Sequence, residues 1–134
     1  MVIDASIAFK LILPEAGTAR VIELADRSTF IAPTLIHSEV ANALWRRVLQ
    51  GDIPPGAGLA EPLEGLARVL RTVDEVPMLP RALDLAIELG HPVYDCVYLA
   101  VAEALDEELL TADLRFLGAI RNTAHAGRVK ELGE

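Results

Sequence analysis

Val2-Ile3-Asp4-Ala5-Ser6-Ile7-Ala8-Phe9-Lys10-Leu11-Ile12-Leu13 decides the fold class of this chain. It starts as a short apolar run ending in an acid, then carries apolar residues at helical spacing as far as Pro14. The reading is a strand over 1–4 followed by a helix that Ser6 caps and Pro14 stops. The same strand-then-helix unit returns downstream. A helix over Thr18–Ala25 precedes the β-prone run Thr29-Phe30-Ile31-Ala32. Pro33 then suits the first turn of a helix from Thr34 to Gln50, ended by Gly51.

Residues 52–58 contain two prolines and two glycines and form a loop. A helix over 59–70, an alternating strand over Thr72–Val76 and a helix over Pro80–Glu88 closed by Gly90 follow. After Pro92 comes a strongly apolar helix, Val93–Leu105, and then the short strand Leu109-Leu110-Thr111. Asp113 opens a brief helix, and the tail from Asn122 is open between loop and a last short strand. Short strands alternating with helices imply βα units, hence an α/β fold with a mainly parallel sheet flanked by helices. In such sheets functional residues gather where strands end and helices begin.

A chain of 134 residues makes one domain, spanning 1–134. Hydrophobic residues make up 52%, enough for a large core and for some apolar surface that a partner covers. No run approaches the roughly 18 apolar residues that a membrane helix needs, and the first residues lack the basic segment of a signal peptide. Cys96 is the single cysteine, which excludes an internal disulfide and a Cys-rich metal site and suits a small buried hydrophobe. A cytoplasmic location with no membrane contact is expected.

Net charge is −8, from 20 acidic against 12 basic residues. That balance counts against an ordinary nucleic-acid binder unless some carboxylates hold cations that offset their charge. The acidic surplus also suits a basic partner.

Four acids stand out by position. Asp4 ends the first strand, with the Ser6 hydroxyl two residues on; a turn or capping role competes with a functional one. Glu39 borders the apolar stripe of its helix, where a carboxylate is costly unless paired or bound to a cation. Asn42 shares that face one turn later. Asp95 lies in the first turn of an apolar helix and Asp113 at the start of another, where dipole and capping roles compete. Grouped carboxylates repel one another unless cations intervene, and an all-oxygen donor set suits Mg²⁺ or Mn²⁺. Such ions serve phosphoryl chemistry.

The pieces Val2-Ile3-Asp4-Ala5-Ser6, Glu39-Val40-Ala41-Asn42-Ala43-Leu44, Gly90-His91-Pro92-Val93-Tyr94-Asp95 and Thr111-Ala112-Asp113 occur in an order and spacing that resembles PIN-domain ribonucleases of the VapC toxin type. The resemblance covers nearly the whole chain. It implies a three-layer α/β/α PIN-like domain and Mg²⁺ or Mn²⁺ held by Asp4, Glu39, Asp95 and Asp113, with Ser6, Asn42 and Thr111 as polar groups around them. It further implies endoribonucleolytic hydrolysis of RNA by metal-activated water, a homodimer, and inhibition by a VapB-like antitoxin. No acid follows Asp113 directly, so the fourth carboxylate rests on that residue alone.

The remaining polar residues are assigned plainer roles. His37, His91 and His125 lack metal-ligand spacing and are expected in structural or surface roles. Trp45, Tyr94 and Tyr98 are expected in core or dimer packing, and Arg46 and Arg47 at a solvated helix end. Lys10, beside the first motif, is the better phosphate candidate. Two rival readings remain: a catalytically silent PIN-like module that binds a basic partner peptide, and a phosphatase with an Asp4 nucleophile. The phosphatase would want an acid at position 6, where this chain has Ser6.

Overall fold

The computed structural model describes residues 1–133. Its elements run β1 (Val2–Ile3), α1 (Ala5–Ile12), α2 (Thr18–Ala25), β2 (Ile31–Pro33), α3 (Leu35–Leu49), α4 (Ala60–Val69), β3 (Arg71–Val73), α5 (Leu79–Leu89), α6 (Val93–Leu105), β4 (Leu109–Thr111), α7 (Leu114–Ile120) and β5 (Val129–Glu131). Short 3₁₀ turns at Val76–Met78 and Ala126–Arg128 lead into α5 and β5.

The strands form a five-stranded sheet in the order β3-β2-β1-β4-β5, every neighbouring pair parallel. The chain winds from β1 outward to β3, then returns to lay β4 on the other side of β1. With right-handed crossovers, that reversal puts the helices before and after it on opposite faces. One helical layer holds α1 to α4, with α1 packed on α2, α3 and α4; in the other, α5 packs on α6. This is the three-layer α/β/α arrangement expected from the alternation.

Helix α6 is the centre of the core. Cys96 through Ala102 are buried on every side, because α6 lies between the sheet strands β1, β2, β4 and helix α5. A helix apolar all round is what that position requires. Burial also pushes the Cys96 thiol up to about 11, so Cys96 behaves as a small hydrophobe. Gly51 follows α3 and Gly90 caps α5 with φ of 84° and 60°, the left-handed conformation that only glycine adopts freely.

Three local expectations are corrected. Asp4, not Ser6, is the N-cap of α1: its carboxylate accepts from Ser6 N at 3.0 Å and Ile7 N at 3.3 Å, and Ser6 lies inside the first turn. Pro33 ends β2 instead of opening α3, paired in register with Val73, and Thr34 caps the helix. A proline is tolerated at this strand terminus because the next residue, Thr34, supplies the N–H that bonds Val73 O, at 3.0 Å. The strand expected over Thr72–Val76 is Arg71–Val73, since Asp74 accepts from Val76 N at 3.0 Å and turns the chain. The tail does hold a last strand, β5.

Candidate active site

The order of the sheet reverses between β1 and β4, and a crevice opens beyond the carboxyl ends of strands at such a point. Asp4 directly follows β1, and Asp113 lies two residues past β4. Glu39 reaches the same cleft from α3 and Asp95 from the first turn of α6. All four expected acids therefore line one cleft of about 630 Å³, together with Ser6 and Asn42.

Asp4 is the most enclosed of them, only 6% exposed. Ser6 Oγ donates to its Oδ1 at 2.5 Å, and Thr111 Oγ1 donates to its Oδ2. Ser6 Oγ in turn accepts from Ala112 N at 2.8 Å, and Thr111 Oγ1 accepts from Asp113 N at 3.0 Å. The two hydroxyls thus tie the end of β1 to the end of β4. Burial pushes the Asp4 carboxyl up to about 6; the hydrogen bonds from Ser6, Thr111 and Ile7 N oppose that rise, and the charge of Asp95 adds to it.

Glu39 accepts from the buried Tyr98 hydroxyl at 2.7 Å. Its pKa is raised, first by burial and then by Asp95 and Asp4, while the Tyr98 bond lowers it. Asp95 takes its hydrogen bond from His91 Nε2, 2.5 Å from Oδ2, and the His91 ring rests 5.1 Å from that of Phe116. Asp113 caps α7, accepting from Arg115 N at 2.8 Å and Phe116 N at 3.2 Å through Oδ1.

The donor set fits a hard divalent cation. It is all oxygen, and the charge of Asp95 raises the pKa of Asp4 while Asp95 and Asp4 raise that of Glu39, an effect a cation would reverse. Glu39, Asp95 and Asp113 each spend one oxygen on a local partner and leave the other without a hydrogen bond among the described residues. The acids do not converge on one point, however. Among the described residues, no three His, Cys, Asp or Glu side chains stand close enough to share an ion. Each acid is held at its own place along the cleft by local hydrogen bonds.

Two residues given structural roles by the sequence reading turn out to serve the acids. His91 anchors Asp95, and Tyr98 anchors Glu39. Part of the signal lay in the spacing: Asp95 and Tyr98, three apart, share a face of α6, whereas His91 precedes the Pro92 cap and reaches Asp95 from the turn before the helix. Tyr98→Phe is expected to keep the fold but cost about 1–3 kcal/mol, because half-buried Glu39 loses its donor. Urea denaturation reads this directly, and an unchanged midpoint would remove Tyr98 as the anchor.

The other candidates separate cleanly. Trp45 and Tyr94 are exposed, Tyr94 at the cleft. His125 lies between Glu88 and Glu103, at 3.0 and 3.4 Å, away from the acids. Lys10, Arg46 and Arg47 all line the cleft.

An α/β fold with a carboxylate-lined cleft at its switch point is the class these features define. A family model described as "PIN domain" matches residues 1–120. Ribonuclease VapC1 of Mycobacterium tuberculosis is 34% identical over 121 residues, covering 88% of this chain and 89% of that protein. VapC ribonuclease Mb0985 of Mycobacterium bovis is 36% identical over 116 residues, covering 86% and 87%. Ribonuclease VapC3 of Pyrobaculum aerophilum is 32% identical over 121 residues, covering 84% and 88%. The crystal structure of PAE2754 from Pyrobaculum aerophilum matches the fold with a TM-score of 0.74 at 23% identity, over 98% of this chain and 87% of that one. The chain belongs to the PIN-domain family, in its VapC group.

Proposed function

We propose that this chain, as a single PIN domain over 1–134, is a metal-dependent endoribonuclease toxin neutralised by a cognate VapB-like antitoxin. The observation that carries the reading is the gathering of Asp4, Glu39, Asp95 and Asp113 in one cleft at the switch point. Mg²⁺ or Mn²⁺, held by these carboxylates, would supply an activated water and offset the charge developing on the phosphodiester.

The chain's own part is positioning. Ser6 and Thr111 fix both oxygens of Asp4; Tyr98 and His91 fix one oxygen each of Glu39 and Asp95. Holding one oxygen each of Glu39 and Asp95 leaves the other to turn toward a cation, and Asn42, which also lines the cleft, would contact substrate. A homodimer is part of the proposal, supported by the exposed stripe Leu79, Leu83 and Ile87 along α5. So is a cytoplasmic location; among the described residues no single helix is long and apolar enough to cross a membrane.

The test is cleavage of total RNA by antitoxin-free protein with Mg²⁺, Mn²⁺ or EDTA, beside Asp4→Asn. Cutting should require the metal and vanish in the variant. Well-folded protein that cuts nothing under any metal would favour the silent peptide-binding module instead.

A further inference from the structure

The cleft that gathers the acids also has a basic wall, and one carboxylate already sits in it. Lys10 Nζ donates to Glu15 Oε1 at 2.8 Å and to the carbonyl of Ala16 at 2.8 Å. Arg47 Nη2 donates to Glu15 Oε2 at 2.7 Å, while its guanidinium stands 5.2 Å from the Phe9 ring centroid. Each oxygen of one anion thus meets a different cation, brought from α1 and α3. Glu15 comes from the loop between α1 and α2, where its backbone N–H donates to Thr18 Oγ1 at 3.0 Å.

This cluster is more than a solvated rim contact. The Lys10, Glu15 and Arg47 side chains are 11%, 27% and 34% exposed. Arg47 also lies 3.6 Å from Asp52, a half-exposed acid, while Arg46 beside them has no ion pair among the described residues. Lys10, Arg46 and Arg47 are the cations of this cleft, gathered on the wall beside its acids, on a chain whose net charge is −8. A molecule so acidic repels a polyanion in general, so the cations that admit one must be concentrated where it enters.

We propose that Lys10 and Arg47 form a subsite for a backbone phosphate of RNA beside the carboxylate centre, and that Glu15 fills it as an internal stand-in which the phosphate displaces. The inference rests on the nuclease reading. Phosphate matches the site because both cations point at the two oxygens of one anion. Guanidinium and ammonium partners of this kind position a strand without selecting its sequence.

The experiment is binding of a fluorescent single-stranded RNA oligonucleotide of mixed sequence to the full chain on an Asp4→Asn background, across a range of salt. Glu15→Gln should tighten binding, by up to about fivefold, because the cations no longer have to leave a charged partner. Lys10→Ala and Arg47→Ala should each weaken it about tenfold. Each should also lower the slope of log affinity against log salt by about 0.7. Lys10→Arg and Arg47→Lys, which keep charge and stem, should restore most of the loss, and thermal melts check that all variants are folded.

Folded Glu15→Gln, Lys10→Ala and Arg47→Ala proteins that bind RNA as the parent does would overturn the subsite. If the native chain still cuts RNA in parallel, that failure leaves the nuclease reading standing. A native chain that neither cuts nor binds RNA overturns the nuclease reading and the subsite with it. Variants that alter binding of a polyglutamate peptide but not of RNA would assign the pair to a protein partner and likewise overturn the proposal.

Discussion

Asp4→Asn should melt above the native protein in EDTA at neutral pH, while losing metal-dependent cleavage by roughly 10³-fold or more. The gain in stability follows from linkage. Folded Asp4 keeps its proton to about 6, against 3.8 for the same carboxyl in the unfolded chain. Between those values the native state binds more protons than the unfolded state, so stability falls as pH rises. Above about 6 the whole cost is present, up to about 3 kcal/mol. Asparagine cannot ionise and escapes that cost, yet its Oδ1 still accepts from Ser6 and Ile7 N, and its amide can donate to Thr111. The variant should therefore match the native chain near pH 4 and exceed it at about pH 7.5, by roughly 10 °C in melting temperature at most. A variant less stable than the native chain at both pH values would show that the buried charge is not strained. A variant that still cut RNA would remove Asp4 from the chemistry.

The fold was legible because its alternation is written in local signals. The bounds of α2, α6 and β4 agree with the reading from residues alone, since Pro92, the apolar run after it and the β-prone Leu109-Leu110-Thr111 leave few alternatives. Two of the three errors fell where one position has two readings that only a distant contact separates. Asp4 and Ser6 can each cap a helix, and what separates them is a contact 106 residues away, the hydrogen bond from Ala112 N to Ser6 Oγ. Pro33 can open a helix or end a strand, and its pairing with Val73 across the sheet decides. No window of local sequence contains either contact.

The site divides in the same way. Acids at strand ends were visible because an α/β sheet collects functional groups there. Of the residues that hold them, Ser6 and Thr111 came with the motif resemblance, whereas Tyr98 was not visible as the donor to Glu39, because it reaches across 59 positions and between two helices. Glu15 had no signal at all: an acid in a Pro-Glu-Ala-Gly loop looks like ordinary solvated chain until Lys10 and Arg47 are seen to share it. Sequence gives the chemistry that a fold position demands, whereas its supporting contacts come from packing.

Mg²⁺ or Mn²⁺ should stabilise the native chain, and acid should remove that effect. A ligand that binds only the folded state adds about 2.7 kcal/mol at a hundredfold excess over its Kd. Here the cation would also cancel the repulsion among Asp4, Glu39 and Asp95 that raises the first two pKa values. Cation and proton compete for the same oxygens, so binding must release protons wherever these groups are still protonated. The metal-induced rise in melting temperature should be full at about pH 7.5, fall as pH drops through about 6, and nearly vanish near pH 4. Asp4→Asn should show little of it at any pH. Differential scanning fluorimetry with Mg²⁺, Mn²⁺ and EDTA across that range separates this from general salt effects, which act on both proteins alike. A metal response that ignored pH, or that survived intact in Asp4→Asn, would place the cation somewhere other than the cleft between β1 and β4.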